Sequence, residues 1–384
     1  MPALLARRLT AAVAVLVLPL VAVAGCGAQK KASIRGELTA AGQSLQDAKA
    51  LTVTVHVQDV KDALRGLLTK APGGSAPQIA DAVLLGSVAV TVDAAGNKTL
   101  RELGAGATTA PTAERLKSLN MAIVVSGKDG PLAQLRLVEG VLYANVDLTK
   151  IKALVESSGS KDFDAKLDAA GEGAPPVFAQ LLKDIRAGKW VKLSLVDHLK
   201  EITSLTSGLS PQAGAASKSP APTFDKTLFD KLYAAIKPYV TVTDANNSSQ
   251  DRVLDVKVAL KPAVKAALAS FKGAPGFAAL DSLDTAKLDT LKDGTVNGTI
   301  TLKKSHLTKI TLDLASVQAV SQSKSGDVVT GGLLVVDIDD SAAELTAPTD
   351  VSSTDLDKLF SELFSGLLGS RRGSQPSNTT PLQS

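Results

Sequence analysis

The stretch LNMAIVVSGKDGPLAQLRLVEGVLYANVD, residues 119–147, holds three strand-type runs and two turn-type breaks. Leu119, Met121, Ile123 and Val125 alternate with Asn120 and Ser126, the two-residue period of a strand with one apolar face. Gly127-Lys128-Asp129-Gly130 makes a turn, Pro131 to Val138 returns, and Glu139-Gly140 turns again into Val141 to Asp147. Connections this short join only antiparallel neighbours. The segment reads as a three-stranded meander and sets the expectation for the rest of the chain.

Upstream, Ile34 to Ala50 has the spacing of an amphipathic helix, with Leu38, Ala41, Leu45 and Ala48 on one face. Leu51, Val53, Val55 and Val57 then alternate with Thr52, Thr54, His56 and Gln58, a strand with one buried side. A helix is expected around Val60 to Leu68, a Pro/Gly loop over Ala71 to Pro77, and a strand near Ser87 to Asp93 with Val88, Val90 and Val92 together. Downstream, helices are expected over Leu148 to Glu156 and Pro176 to Ala187, and a short strand over Trp190 to Leu195.

Gly208 to Pro222, rich in Ser, Ala, Gly and Pro, reads as a flexible surface loop. Beyond it come a helix from Phe224 to Lys237, a strand near Tyr239 to Thr243, and a strand with Leu254, Val256, Val258 and Leu260 on one face. A helix over Pro262 to Phe271 precedes three strands: Thr295 to Lys303, Leu307 to Leu314 and Asp327 to Asp339. Leu356, Leu359, Phe360, Leu363, Phe364 and Leu367 form a helical stripe that Ser353 or Thr354 can cap. It reads as a final helix packed on the sheet, with a movable lid as the alternative. The chain thus divides into a signal peptide (1–25), a tether (26–33), a main domain (34–350), a C-terminal amphipathic helix (351–368) and a disordered tail (369–384). Whether 34–350 forms one sheet or two lobes is left open by the sequence.

The N-terminus carries an export signal. Arg7 and Arg8 precede an Ala/Val/Leu run from Leu9 to Ala24 that ends in Val23-Ala24-Gly25-Cys26. Such a run is short for a membrane-spanning helix. Its small residues lead into a thiol that accepts a diacylglycerol, a pattern that resembles the lipobox of bacterial lipoproteins. Cys26 is the only cysteine of 384 residues, so no internal disulfide competes for it. Two acyl chains anchor a protein stably where one does not. The expected location is the extracytoplasmic face of the cell membrane, held by lipid on Cys26.

Loss of residues 1–25 lowers the formal net charge from +4 to +2. With aromatics at 3%, the chain lacks both the charge and the stacking surfaces of a nucleic-acid binder. His56, His198 and His306 lie in separate elements with no cysteine beside them and read as surface residues. Asp337, Asp339 and Asp340 bunch at a strand end, read as solvated, with cation binding as the alternative. No nucleophile elbow, phosphate loop or dinucleotide fingerprint is present. The sequence therefore predicts no enzyme, no metal and no cofactor.

Several stretches resemble the LppX/LprG-type lipoproteins and, more distantly, the LolA/LolB carriers. Val138 to Val146 is similar to that group's strand with a central Gly-x-Leu-Tyr, and Lys189-Trp190-Val191-Lys192-Leu193 is similar to the strand that follows it. Thr295 to Leu314 resembles a threonine-rich hairpin, and Leu334 to Pro348 the final strand. Segments near 60–86, 148–187 and 261–292 are longer than the group's pattern. The resemblance implies an α+β fold: a curved antiparallel sheet, a half-barrel, with helices over its concave side. It also implies an apolar cavity holding acyl chains of a lipid or glycolipid. Candidate lining residues are Val53, Val55, Val88, Val90, Met121, Ile123, Val125, Tyr143, Trp190, Ile300, Leu312 and Val336. The competing expectation is a lipid-anchored scaffold or signalling protein, with an envelope protein as partner, whose half-barrel is filled by its own side chains.

Overall fold

The computed structural model describes residues 31–58, 88–96, 98–100, 102, 112–157, 162–172, 176–199, 231–232, 234–247, 251–271, 292–320, 332–341, 345–352, 354 and 356–357. Within them, eleven strands form one open antiparallel sheet in the order β6-β5-β4-β3-β2-β1-β11-β10-β9-β8-β7. The first meander comprises β1 (Ala50–Gln58), β2 (Ala89–Gly96), β3 (Leu119–Gly127), β4 (Gly130–Val138), β5 (Val141–Val146) and β6 (Val191–Ser194). The second comprises β7 (Val240–Asn247), β8 (Asp251–Ala259), β9 (Thr295–Lys303), β10 (His306–Asp313) and β11 (Leu333–Asp339). The two meet in the middle, where β1 pairs with β11. The main domain is one sheet, not two lobes.

The expected meander is present, with β3, β4 and β5 adjacent in order. Its second turn places Glu139 at φ 52° and Gly140 at φ 82°, the positive pair whose twist suits a tight hairpin. Irregular registers interrupt β3/β4, β7/β8 and β9/β10. Such bulges bend strands and increase their twist, which suits a sheet that curves without closing.

Register sorts the side chains into two faces. On the inner face, Val53 stands between Val92 and Ile338, and Val55 between Val90 and Val336. That face continues through Ile310, Ile300 and Leu254 in one direction and through Ile123, Leu135 and Ala144 in the other. The outer face is polar along β1–β2 and β9–β10: Thr52 donates to Asp93 at 2.6 Å, Thr54 meets Thr91 at 3.0 Å, and Thr299 meets Thr311 at 2.7 Å.

Helices cover the inner face of the second meander. Helix α1 (Lys31–Asp47) sets Ile34, Leu38 and Ala41 against Leu254, Val256, Ile300, Leu302, Ile310 and Val336. Each fully buried Leu, Ile or Val contributes about 1.5–3 kcal/mol, so this cluster dominates the core. Arg252 pins the helix, its guanidinium 2.6 Å from Glu37 and 2.8 Å from Asp244. Burial of Arg252 opposes its charge, but hydrogen bonds to Asp244 and Glu37 outweigh this and hold its pKa above the usual value.

Helix α2 (Ala113–Ser118) leads into β3. Helices α3 (Leu148–Ser157), α4 (Phe163–Gly171) and α5 (Pro176–Arg186) pack on one another, with α3 against β4 and α5 against β6. Helix α6 (Leu260–Phe271) places Ala267 and Phe271 beside Leu232, Ile236, Val240 and Val242. Helix α7 (Leu314–Val320) joins Val317 and Val320 to Val296 and Leu312. None of the described helices is long and apolar enough to cross a membrane.

The structure adds to the sequence reading in some places, corrects it in others, and leaves parts of it outside the described residues. Helices α2, α4 and α7 were not anticipated; α7 directly follows β10, and its start is fixed by Asp313, whose carboxylate accepts from the Ala315 N–H at 2.9 Å. The strand expected from Asp327 is described from Leu333, with residues 321–331 outside the described set. The C-terminal element is extended at Val351, which bridges to Trp190, and helical at Leu356 and Asp357, with residues 358–384 outside the described set. His198, expected on the surface, is 7% exposed and pairs with Asp357 at 3.1 Å. The helix at 60–68, the loop at 208–222 and the tail at 369–384 lie outside the described residues.

Candidate apolar groove

On the inner face of the first meander the aliphatic row continues, but among the described residues its burial is uneven: Leu137 and Val191 are each 7% exposed, while the stretch over β2–β4 is more open. Val92 of β2, Ile123 of β3 and Leu135 of β4 stand directly opposite one another, with Val90 and Val125 forming the next row. Val90, Val92 and Leu135 are 37%, 36% and 37% exposed, the large apolar side chains that stand out among the described residues. On the same face of the second meander, Leu254 and Ile300 are 0% and 1% exposed. Among the described residues, one continuous apolar face is therefore sealed over β8–β10 and partly exposed over β2–β4. Valine and leucine offer this opening no hydrogen-bond donor or acceptor, so it discriminates only by shape and by exclusion of water.

The expected lining residues divide into three sets. Val90, Met121, Ile123 and Val125 lie on the inner face of β2 and β3, Val53 and Val55 on the same face pack against the core cluster beneath α1, and Val88 lies one residue ahead of β2. Ile300, Leu312 and Val336 share the face but are 1%, 9% and 4% exposed beneath the helices, so they fill the core. Tyr143 and Trp190 stand on the outer face: Tyr143 pairs with Arg136 and Lys192, and the Arg136 guanidinium carbon lies 4.7 Å from the Trp190 ring centroid. Every position of Val141–Val146 except Asn145 is apolar or aromatic, so periodicity gives no parity there; only the ladder does. Val92 and Leu135 were not among the candidates, although their alternation with Thr91 and Gln134 was a usable signal. Cys26 lies outside the described residues.

Polar clusters elsewhere are structural in geometry. Ser44 Oγ and Asp340 Oδ2 approach His306 at 3.1 Å and 2.6 Å, but both meet the same nitrogen, Nδ1. A nucleophile–base–carboxylate relay uses the two ring nitrogens separately, so this trio is not arranged as one. The acidic strand end is divided among partners: Asp337 faces Lys309 at 3.3 Å and His56 at 3.5 Å, and Asp339 accepts from Ser341. No cluster of three or more His, Cys, Asp or Glu suited to a metal occurs among the described residues. Asp184, 3% exposed on α5, accepts from Ser352 and Thr354, and these bonds hold its carboxyl below the usual range against the effect of burial.

Fold and groove together define an open α+β half-barrel with an aliphatic opening on its helix-bearing face. No family model and no curated protein sequence matches the chain. Among solved structures it is similar to the Mycobacterium tuberculosis lipoprotein LppX, with 9% identity and a TM-score of 0.28 over 81% of this chain and 97% of that one.

Proposed function

We propose that the protein is a lipid-anchored envelope lipoprotein that binds acyl chains of a lipid or glycolipid in the opening over β2–β4. The observation that carries this reading is the exposed row of Val90, Val92 and Leu135 on a face whose other half is sealed. Leaving such side chains in water is unfavourable unless something covers them. An acyl chain is a fitting occupant because each buried methylene contributes about 0.8 kcal/mol without directional contacts. The anchor on Cys26, with its preceding apolar run and small residues, supports a site beside the bilayer that supplies the ligand. The reading includes no catalytic step.

The test is to express residues 27–384 without the anchor and examine the purified protein by native mass spectrometry and organic extraction. The expected result is bound lipid, or stoichiometric uptake of added phospholipid. A homogeneous protein that neither carries nor takes up lipid would leave a lipid-anchored scaffold as the better account. The anchor is tested separately: Cys26→Ala in the full chain should abolish acylation and processing.

A further inference from the structure

Tyr143 on the outer face stands between two cations, with Arg136 of β4 directly opposite it on one side and Lys192 of β6 on the other. In the neighbouring row Gln134 faces Asn145, and Trp190, one residue ahead of β6, continues that row. The Arg136 guanidinium lies over the Trp190 ring at 4.7 Å and donates to Gln134 Oε1 at 3.2 Å. No carboxylate of the described residues pairs with Arg136 or Lys192. Elsewhere on this face Lys309 has Asp337 as its partner. The carboxylate in the same cross-strand row, Asp93, is two strands away and accepts from Thr52 at 2.6 Å. The patch thus gathers the chain's one Trp, one of its three Tyr and two uncompensated cations.

We propose that this patch docks on anionic lipid headgroups, laying the outer face of β4–β6 against the membrane surface. Tyr and Trp favour the headgroup region because each has an apolar ring and a polar handle. Arg and Lys complement phosphate, Arg through its planar fork and Lys as a point charge. The proposal takes from the anchor reading only the nearness of a bilayer. The aliphatic opening, on the opposite face, then looks away from the headgroups, so delivery of a bound chain to the bilayer requires undocking.

Trp190 supplies its own readout as the chain's single tryptophan. Unanchored residues 27–384 are mixed with vesicles of phosphatidylcholine alone or with added phosphatidylglycerol, and followed by co-sedimentation and Trp190 emission. Binding is expected with phosphatidylglycerol, weakening with salt and accompanied by a shift of emission to shorter wavelength. Arg136→Gln and Lys192→Gln should each weaken it about fivefold, whereas Lys257→Gln, on the outer face of β8, should not. Absence of binding, binding with unchanged emission, or an equal loss in the Lys257 variant each overturns the proposal. Leu135→Asp, which disrupts the opening, should leave docking intact, so failure of the acyl-binding reading is distinguishable.

Discussion

Val55 of β1 stands directly opposite Val336 of β11, and through this seam two meanders far apart in sequence become one sheet. Tight turns build each meander, but the join needs the two ends of the domain to meet. The inner face is consequently continuous from β6 to β7, and one half can carry the stability while the other keeps an opening.

The seam predicts cooperative unfolding. Ile300, 1% exposed in β9, lies eight strands from β6, which Trp190 adjoins. Ile300→Ala should cost about 2–5 kcal/mol and shift the urea transitions seen by Trp190 fluorescence and by circular dichroism together. Separate transitions would show that the halves unfold as independent units.

The opening predicts a separation of binding from stability. Leu135→Asp and Val92→Asp place a charge where the side chain is about a third exposed, so the carboxylate stays hydrated and folding should lose no more than about 1 kcal/mol. Bound lipid in native mass spectra should disappear. Retention of lipid by both variants would move the ligand elsewhere.

Asp184 predicts an acid-sensitive C-terminal latch. Bonds from Ser352, then Thr354, lower its folded pKa. The unfolded chain therefore takes up the proton first as pH falls. This contribution is complete above about pH 4 and fades as pH drops through the depressed folded value. Asp184→Asn should cost about 1–3 kcal/mol at neutral pH and flatten that part of the acid-stability curve, measured by thermal melting. An unchanged curve would assign the latch to other contacts.

The β9–β10 turn predicts a stabilising change. Lys304 and Ser305 have φ of 48° and 66°, a left-handed pair that strains side-chain-bearing residues. Lys304→Asn with Ser305→Gly should raise stability by about 1 kcal/mol, read as a higher melting temperature. No gain would mean that the turn is relaxed in solution.

Strand parity was legible wherever apolar and polar residues alternate. Leu51 to Gln58 and Thr295 to Lys303 carry it in full, and the structure places their apolar sets on the inner face. It was illegible in Val141–Val146, where nearly every side chain suits either face, and so Tyr143 and Trp190 were expected in the groove and lie outside it. His198 was illegible for another reason: its partner Asp357 lies 159 residues away, and no local pattern announces such a contact.

The sequence by itself determined the strands, the antiparallel hairpins and the amphipathic first helix, because alternation, turn residues and helical spacing act over a few residues. Tertiary structure alone decided that β1 joins β11, that Ile300, Leu312 and Val336 are core, and that Val90, Val92 and Leu135 are 37%, 36% and 37% exposed. These outcomes depend on which helix lands on which stretch of one apolar face. A valine in an alternating strand reads the same beneath a helix as beside an opening.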